Sequence, residues 1–150
     1  MADKTDYIEI INEGVDPNIF AWITDFCRKD LFSHDIGVMM TKLAPGKTYS
    51  ELATKNYHAN LAGSLHGGVT ATLADLSMGI ACFTTGFVVV TTNLNISYMD
   101  AGKIGEKIKA AGHVIRAGKS VLFTETTIED EQGLIIAKGS GIFSVISRIP

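Results

Sequence analysis

The sequence predicts an α+β fold in which an antiparallel β-sheet curls round one long buried helix. Three observations carry this expectation. The stretch "GGVTATLADLSMGIACF", residues 67–83, reads as a helix with no Lys, Arg or Glu on any side; a helix that is apolar or small all round is buried. After Gly86 the pattern changes period: in "FVVVTTNLNISYM" the apolar Leu94, Ile96 and Tyr98 alternate with Asn93, Asn95 and Ser97, the period of two of a strand. The segment "GEKIKAAGHVIRAGKSVLFTETTIEDEQGLIIAKGSGIFSVI" then breaks into three strands, near Arg116–Lys119 and near Glu131–Gly133, both with turn chemistry. Consecutive strands with short connections form an antiparallel meander.

The elements follow in order. Asp16-Pro17 is an N-cap and first-turn pair, and Ile19, Phe20, Ile23, Phe26, Cys27 and Leu31 recur at helical spacing behind it, which predicts one amphipathic helix. "DIGVMMTKLAPGKTYSELAT" predicts two strands round a Pro45-Gly46 turn. A loop through "NYHANLAGS" leads into the long helix, and four strands close the chain. On that helix Val69, Leu73, Leu76, Ile80 and Phe83 form a large apolar stripe, while Gly68, Ala71, Asp75, Met78, Gly79 and Cys82 form a smaller side. The expectation is that the sheet buries the large stripe and the small side lets a second chain approach.

A chain of 150 residues, 46% hydrophobic, fits one domain, 1–150, with an N-terminal helical extension over about 1–34. The net charge is −3 and the cations are scattered, which argues against nucleic acid as a partner. Two cysteines far apart, Cys27 and Cys82, point to reduced thiols in a cytoplasmic protein. The four histidines, His34, His58, His66 and His113, have no ligand spacing, so no metal is expected. The acidic N-terminus lacks the layout of a signal peptide. Between Lys55 and Lys103 there is no Lys or Arg, but a central Asp75 would cost about 2.5–3.5 kcal/mol to insert in a bilayer, so this run reads as a buried core and not as a membrane segment.

The chemistry concentrates at "NLAGSLHGGVTATLAD". A helix N-terminus offers free backbone N–H groups and about half a positive charge. Gly67 and Gly68 leave those groups uncovered, so they suit either an oxyanion or merely a tight turn. Asp75 is a lone acid among apolar and small residues, and a buried unpaired carboxylate is costly, which marks it as hydrogen-bonded for structure or kept for function. From Gly67 to Asp75 is eight residues, roughly 12 Å along the helix axis. An aspartate side chain does not span that gap. If both serve one reaction, the acid comes from a second copy, which predicts a homodimer with two shared sites. "R116-A117-G118-K119-S120" is a turn with two cations and exposed N–H groups, suited to anion contact or to being a polar hairpin turn.

"N60-x-x-G63-x-x-H66-G67-G68" followed by "A71-T72-L73-A74-D75" resembles the motif of hotdog-fold acyl-CoA thioesterases of the PaaI-type family, and the resemblance runs from about Leu43 to Ile146 through "TTNLNISYM", "GHVIRAGKSVLF" and "LIIAKGSGIF". It implies a hotdog sheet wrapped round the helix, paired as a dimer and assembled as a homotetramer. It implies hydrolysis of acyl-CoA to a carboxylic acid and CoA without a cofactor. Gly67 would polarise the thioester carbonyl, and Asp75 of the partner chain would act as general base or nucleophile. Asn60 and His66 would hold the loop, the thioester or the water, and Thr91 would help orient that water. Tyr98, Arg116, Gly118, Lys119 and Ser120 would meet the CoA moiety. His58 and Cys82 are read as non-catalytic. Two other readings stand beside this one: a hotdog dehydratase or hydratase with His66 as acid/base, and a non-catalytic acyl-CoA-binding module.

Overall fold

A computed structural model describes residues 9–150. Residues 1–8, which include most of the acidic segment read against a signal peptide, lie outside the described residues. A two-residue strand β1 (Ile11–Asn12) precedes helix α1 (Pro17–Lys29) and helix α2 (Leu31–Ile36). Strands β2 (Val38–Ala44) and β3 (Lys47–Ala53) form the hairpin at Pro45-Gly46, with Gly46 at φ +69°. A 3-10 turn, Asn56–His58, leads to helix α3 (Gly67–Phe83), and β4 (Phe87–Tyr98), β5 (Lys107–Ala117), β6 (Val121–Glu129) and β7 (Ile135–Arg148) follow. The sheet order is β1-β2-β3-β5-β6-β7-β4, antiparallel except where β1 meets β2. β5, β6 and β7 make the expected meander. This is the hotdog fold: one sheet wrapped on one long helix.

Two expectations for the N-terminal segment change. The single amphipathic helix is two helices. Asp30 ends α1 in an extended conformation, ψ 91°, and its carboxylate caps α2 by accepting from the Ser33 N–H and hydroxyl. Leu31 therefore leaves the apolar stripe and is exposed. The extension is also not purely helical, since β1 adds a strand beside β2 and α2 runs on to Ile36.

α3 packs against β3, β5, β6 and β4. Period-two burial on the strands supplies the other half of the core: Ile108 and Ala110 on β5, Leu122, Thr124, Thr126 and Ile128 on β6. The faces of α3 are not divided as expected. Leu73, Ile80 and Phe83 are buried, but so are Ala74, Ser77, Met78 and Cys82, whereas Val69 and Leu76 are half-covered. The reason lies in the sheet. A Cβ on Gly112 of β5 would stand 2.3 Å from the Ser77 carbonyl oxygen, so helix and strand backbones touch there. Ser77 also hydrogen-bonds Thr126 Oγ1 at 2.9 Å. Small residues thus face the sheet where approach is closest, and Gly68, Ala71, Thr72, Asp75, Leu76 and Gly79 remain accessible. Gly112→Ala is expected to destabilise the fold by about 3 kcal/mol or more, because two backbones must part; the midpoint of urea unfolding measures it.

Candidate active site

The start of α3 allows a complete account of its donors. His66 is the N-cap residue, and its Nδ1 accepts the Gly68 N–H at 2.8 Å. The His66 carbonyl accepts the Val69 and Thr70 N–H groups at 2.9 and 3.3 Å. Among the described residues nothing accepts the Gly67 N–H. One donor is therefore free where two were expected. The second glycine has another cause: a Cβ on Gly68 would lie 3.0 Å from His66 Nδ1, so glycine lets the imidazole fold back as a cap. No acidic residue stands in the first turn of α3, so the helix itself does not offset the positive end of its dipole; Asp100 lines the pocket at that end.

The surrounding loop is built to hold this point still. Asn60 Oδ1 accepts the Ala62 and Ser64 N–H groups at 2.9 and 3.0 Å, and Gly63 turns the loop at φ +82°. The Asn60 side chain is thus a loop staple. His58, buried at 3% exposure, accepts the Lys55 N–H at Nδ1 and reaches the Ile36 carbonyl with Nε2 at 2.9 Å, a structural use of both ring nitrogens. Tyr98, from the far end of β4, donates its hydroxyl to the Gly67 carbonyl at 2.8 Å. Asn60, Gly67, Gly68 and Tyr98 share an open pocket of about 590 Å³.

Asp75 lies elsewhere. It is half-buried and has a partner: Thr91 Oγ1 on β4 donates to Oδ1 at 2.7 Å. The carboxylate is thus hydrogen-bonded, one of the two states expected of it, and it is less buried than its apolar neighbours in the sequence suggest. Asp75 and Thr91 line a cavity of about 710 Å³ whose other walls come from α3, α1, α2 and β2, including Leu76, Gly79, Phe83 and Met40. No sequence reading anticipated that the N-terminal helices form part of this wall. The apolar stripe of α1 was the available signal, but a stripe does not say what it covers. Cys27 also lines this cavity. Burial, aided by Asp30, pushes its thiol up to about 12, and burial alone does the same to Cys82. Both stay protonated at neutral pH.

The predicted residues thus fall into two sets. Strand register places them: Val90 pairs with Ser144, which pairs with Val121, while Tyr98 pairs with Ala137, which pairs with Ile128. Thr91, Asp75 and the Arg116–Ser120 turn belong to one end of β4. Tyr98, Gly67 and Asn60 belong to the other. Val90 and Tyr98 are eight residues apart on the strand, about 27 Å. Arg116 and Lys119 are exposed and enter neither cavity of their own chain. The sites compare in chemistry as well. The capping bond gives His66 Nδ1 an orienting use at the start of its own helix.

No helix of the described residues is long and apolar enough to cross a membrane. Comparison with known proteins agrees with the fold and motif. The family model described as the thioesterase superfamily matches residues 62–137. The human protein named acyl-coenzyme A thioesterase 13 is 37% identical over 105 residues, which cover 68% of this chain and 75% of that one. The Escherichia coli PaaI protein from the phenylacetic acid degradation operon superposes with a TM-score of 0.86 at 20% identity, over 91% of this chain and 100% of its own. The smu.793 protein of Streptococcus mutans UA159, solved with acetyl CoA bound, gives a TM-score of 0.74 at 24% identity, over 76% of this chain and 92% of its own. With the motif at the start of α3, the wrapped sheet and these likenesses together, the chain belongs to the thioesterase superfamily, an enzyme that hydrolyses thioesters on the hotdog fold it shares with the PaaI protein.

Proposed function

We propose that the enzyme hydrolyses acyl-CoA to a carboxylic acid and free CoA at a site shared by two chains. The observation that carries this reading is the unclaimed Gly67 N–H at the start of a helix whose first turn holds no acidic residue. That donor and the α3 dipole polarise the thioester carbonyl and hold the oxyanion that forms on attack. Asp75 of the partner chain removes a proton from water as the water adds to the carbonyl carbon, and Thr91 holds one carboxylate oxygen so that the other faces the water. Collapse of the tetrahedral adduct expels the CoA thiolate. His66 and Asn60 act by holding the loop and the helix start. The reaction uses water, a carboxylate and a backbone N–H and calls for no cofactor. Relatives named or solved as acyl-CoA proteins support CoA as the thiol.

β4 supports the pairing of chains. It is the last strand of the sheet, twelve residues long, with no charged side chain, and it exposes Val90, Leu94 and Tyr98 at 48%, 36% and 56%. A long uncharged edge invites another strand. A two-fold axis crossing β4 between Leu94 and Asn95 sets position 91 of one chain opposite position 98 of the other. That one operation brings the partner's Asp75–Thr91 end to the Gly67–Tyr98 end, and the partner's Arg116–Ser120 turn to the same place. The cations on that turn then meet the CoA phosphates beside Tyr98, while its Gly118 N–H is spent on the Val121 carbonyl at 2.9 Å. These dimers associate further into a homotetramer in the cytoplasm.

The test is complementation. Chains carrying Asp75→Asn and chains carrying Gly67→Pro are each inactive alone, and random mixing by co-refolding yields half heterodimers with one intact site in two. Thiol release recovers to roughly a quarter of wild type. If the mixture stays as inactive as its components, the site is not shared.

A further inference from the structure

We infer that α1 measures the acyl chain, and that the preferred substrate carries a straight acyl group of about ten carbons lying along Asp75, Gly79 and Phe83 of α3. The inference rests on the thioesterase reading, because it takes the reacting carbon to lie at Asp75. Residues four apart share one line on a helix. Here that line starts at the carboxylate, passes a residue with no side chain, and ends at an aromatic ring, all three facing the 710 Å³ cavity.

α1 supplies the end of the line. Phe26 meets Phe83 edge-on with centroids 5.2 Å apart, and Trp22 meets Phe83 at 5.4 Å. Trp22 also stacks on Phe26 at 5.2 Å, so three rings brace one another. The side walls include Cys27, Met39 and Met40, whose soft side chains adapt to an alkyl chain. The volume lies within the range of roughly 300–1,000 Å³ usual for ligand sites.

The length follows from helix geometry. Asp75 to Phe83 is eight residues, about 12 Å. An extended chain covers about 3.3–3.6 Å per three bonds, so about ten bonds fill that run. Gly79 is the open middle. A Cβ there would press on the Phe143 ring at 3.3 Å, and a larger side chain would project into the channel.

The test uses S-alkyl-CoA thioethers, which cannot be hydrolysed, with chains of C4 to C16 and calorimetric titration of the intact protein. Affinity is expected to rise about fourfold per methylene and to level off near C10. Phe26→Ala removes the end wall and moves the plateau out by several carbons. Gly79→Val places a wall about 6 Å from Asp75 and moves it in to near five carbons. The two variants shift the plateau in opposite directions, so a general loss of folding does not mimic the result; circular dichroism checks each. Affinity that climbs steadily to C16, a plateau that neither variant moves, or no binding at any length overturns the ruler. Chain-dependent binding without thiol release from the matching acyl-CoA leaves the ruler standing and sinks the thioesterase reading. Thiol release with length-independent binding does the reverse.

Discussion

Asp75→Asn is expected to lower kcat by about 10²- to 10⁴-fold, the usual contribution of a positioned general base. The amide keeps the shape of the carboxylate, and its oxygen still accepts the Thr91 hydroxyl that now binds Oδ1 at 2.7 Å. The fold therefore holds, and binding of CoA, which the proposed arrangement places on other residues, stays near normal. What disappears is the ability to take a proton from water. Thiol release from an acyl-CoA panel measures the first effect and calorimetry with CoA the second. Undiminished hydrolysis by this variant would remove Asp75 from the mechanism.

The second large effect comes from a single backbone hydrogen. Gly67→Pro removes the only N–H in the first turn of α3 that has no acceptor among the described residues. Proline is tolerated at the first helical position, and His66 before it already has ψ 132°, the extended conformation a pre-proline residue prefers. A Cβ at this position meets Tyr98 at 3.3–3.4 Å, so the variant is paired with Gly67→Ala, which carries the same contact but keeps the N–H. Gly67→Pro is expected to lose about 10²- to 10³-fold in kcat, the value of one oxyanion donor. Gly67→Ala should keep most of its turnover. Equal losses in the two would assign the effect to crowding of Tyr98 and not to the donor.

Much of the fold was legible because it is written in local chemistry. The Pro45-Gly46 hairpin, the β5–β6–β7 meander and the span of α3 all follow from turn residues and hydrophobic period, and the structure has them. The break at Asp30 was hidden because Leu31 continues the helical spacing of α1 while the capping carboxylate ends it. β1 escaped because two residues show no period. The faces of α3 were read only in part for a related reason: Leu73, Ile80 and Phe83 are buried as expected, but so are Met78 and Cys82. Every side of the helix is apolar or small, so periodicity does not choose a face, and the choice falls to Gly112, 35 residues away on β5. The candidate residues divide in the same manner. The free donor and the carboxylate were named from the motif, but that His66 consumes one donor and that Thr91 holds the acid are contacts read only from the folded chain.

The sequence by itself determined the kind of fold, the helix whose start bears a donor and whose middle bears an acid, and the roughly 12 Å between them, because rise per residue is a local property of a helix. Tertiary structure decided which N–H remains free, which hydroxyl meets Asp75, that the two sets of residues stand at opposite ends of one edge strand, and that α1 closes a chamber over α3. Those are contacts between residues such as Asp75 and Thr91, 16 apart, or Phe26 and Phe83, farther still. They form when the whole sheet wraps and the core packs at solid density, a condition that no short stretch of chain carries on its own.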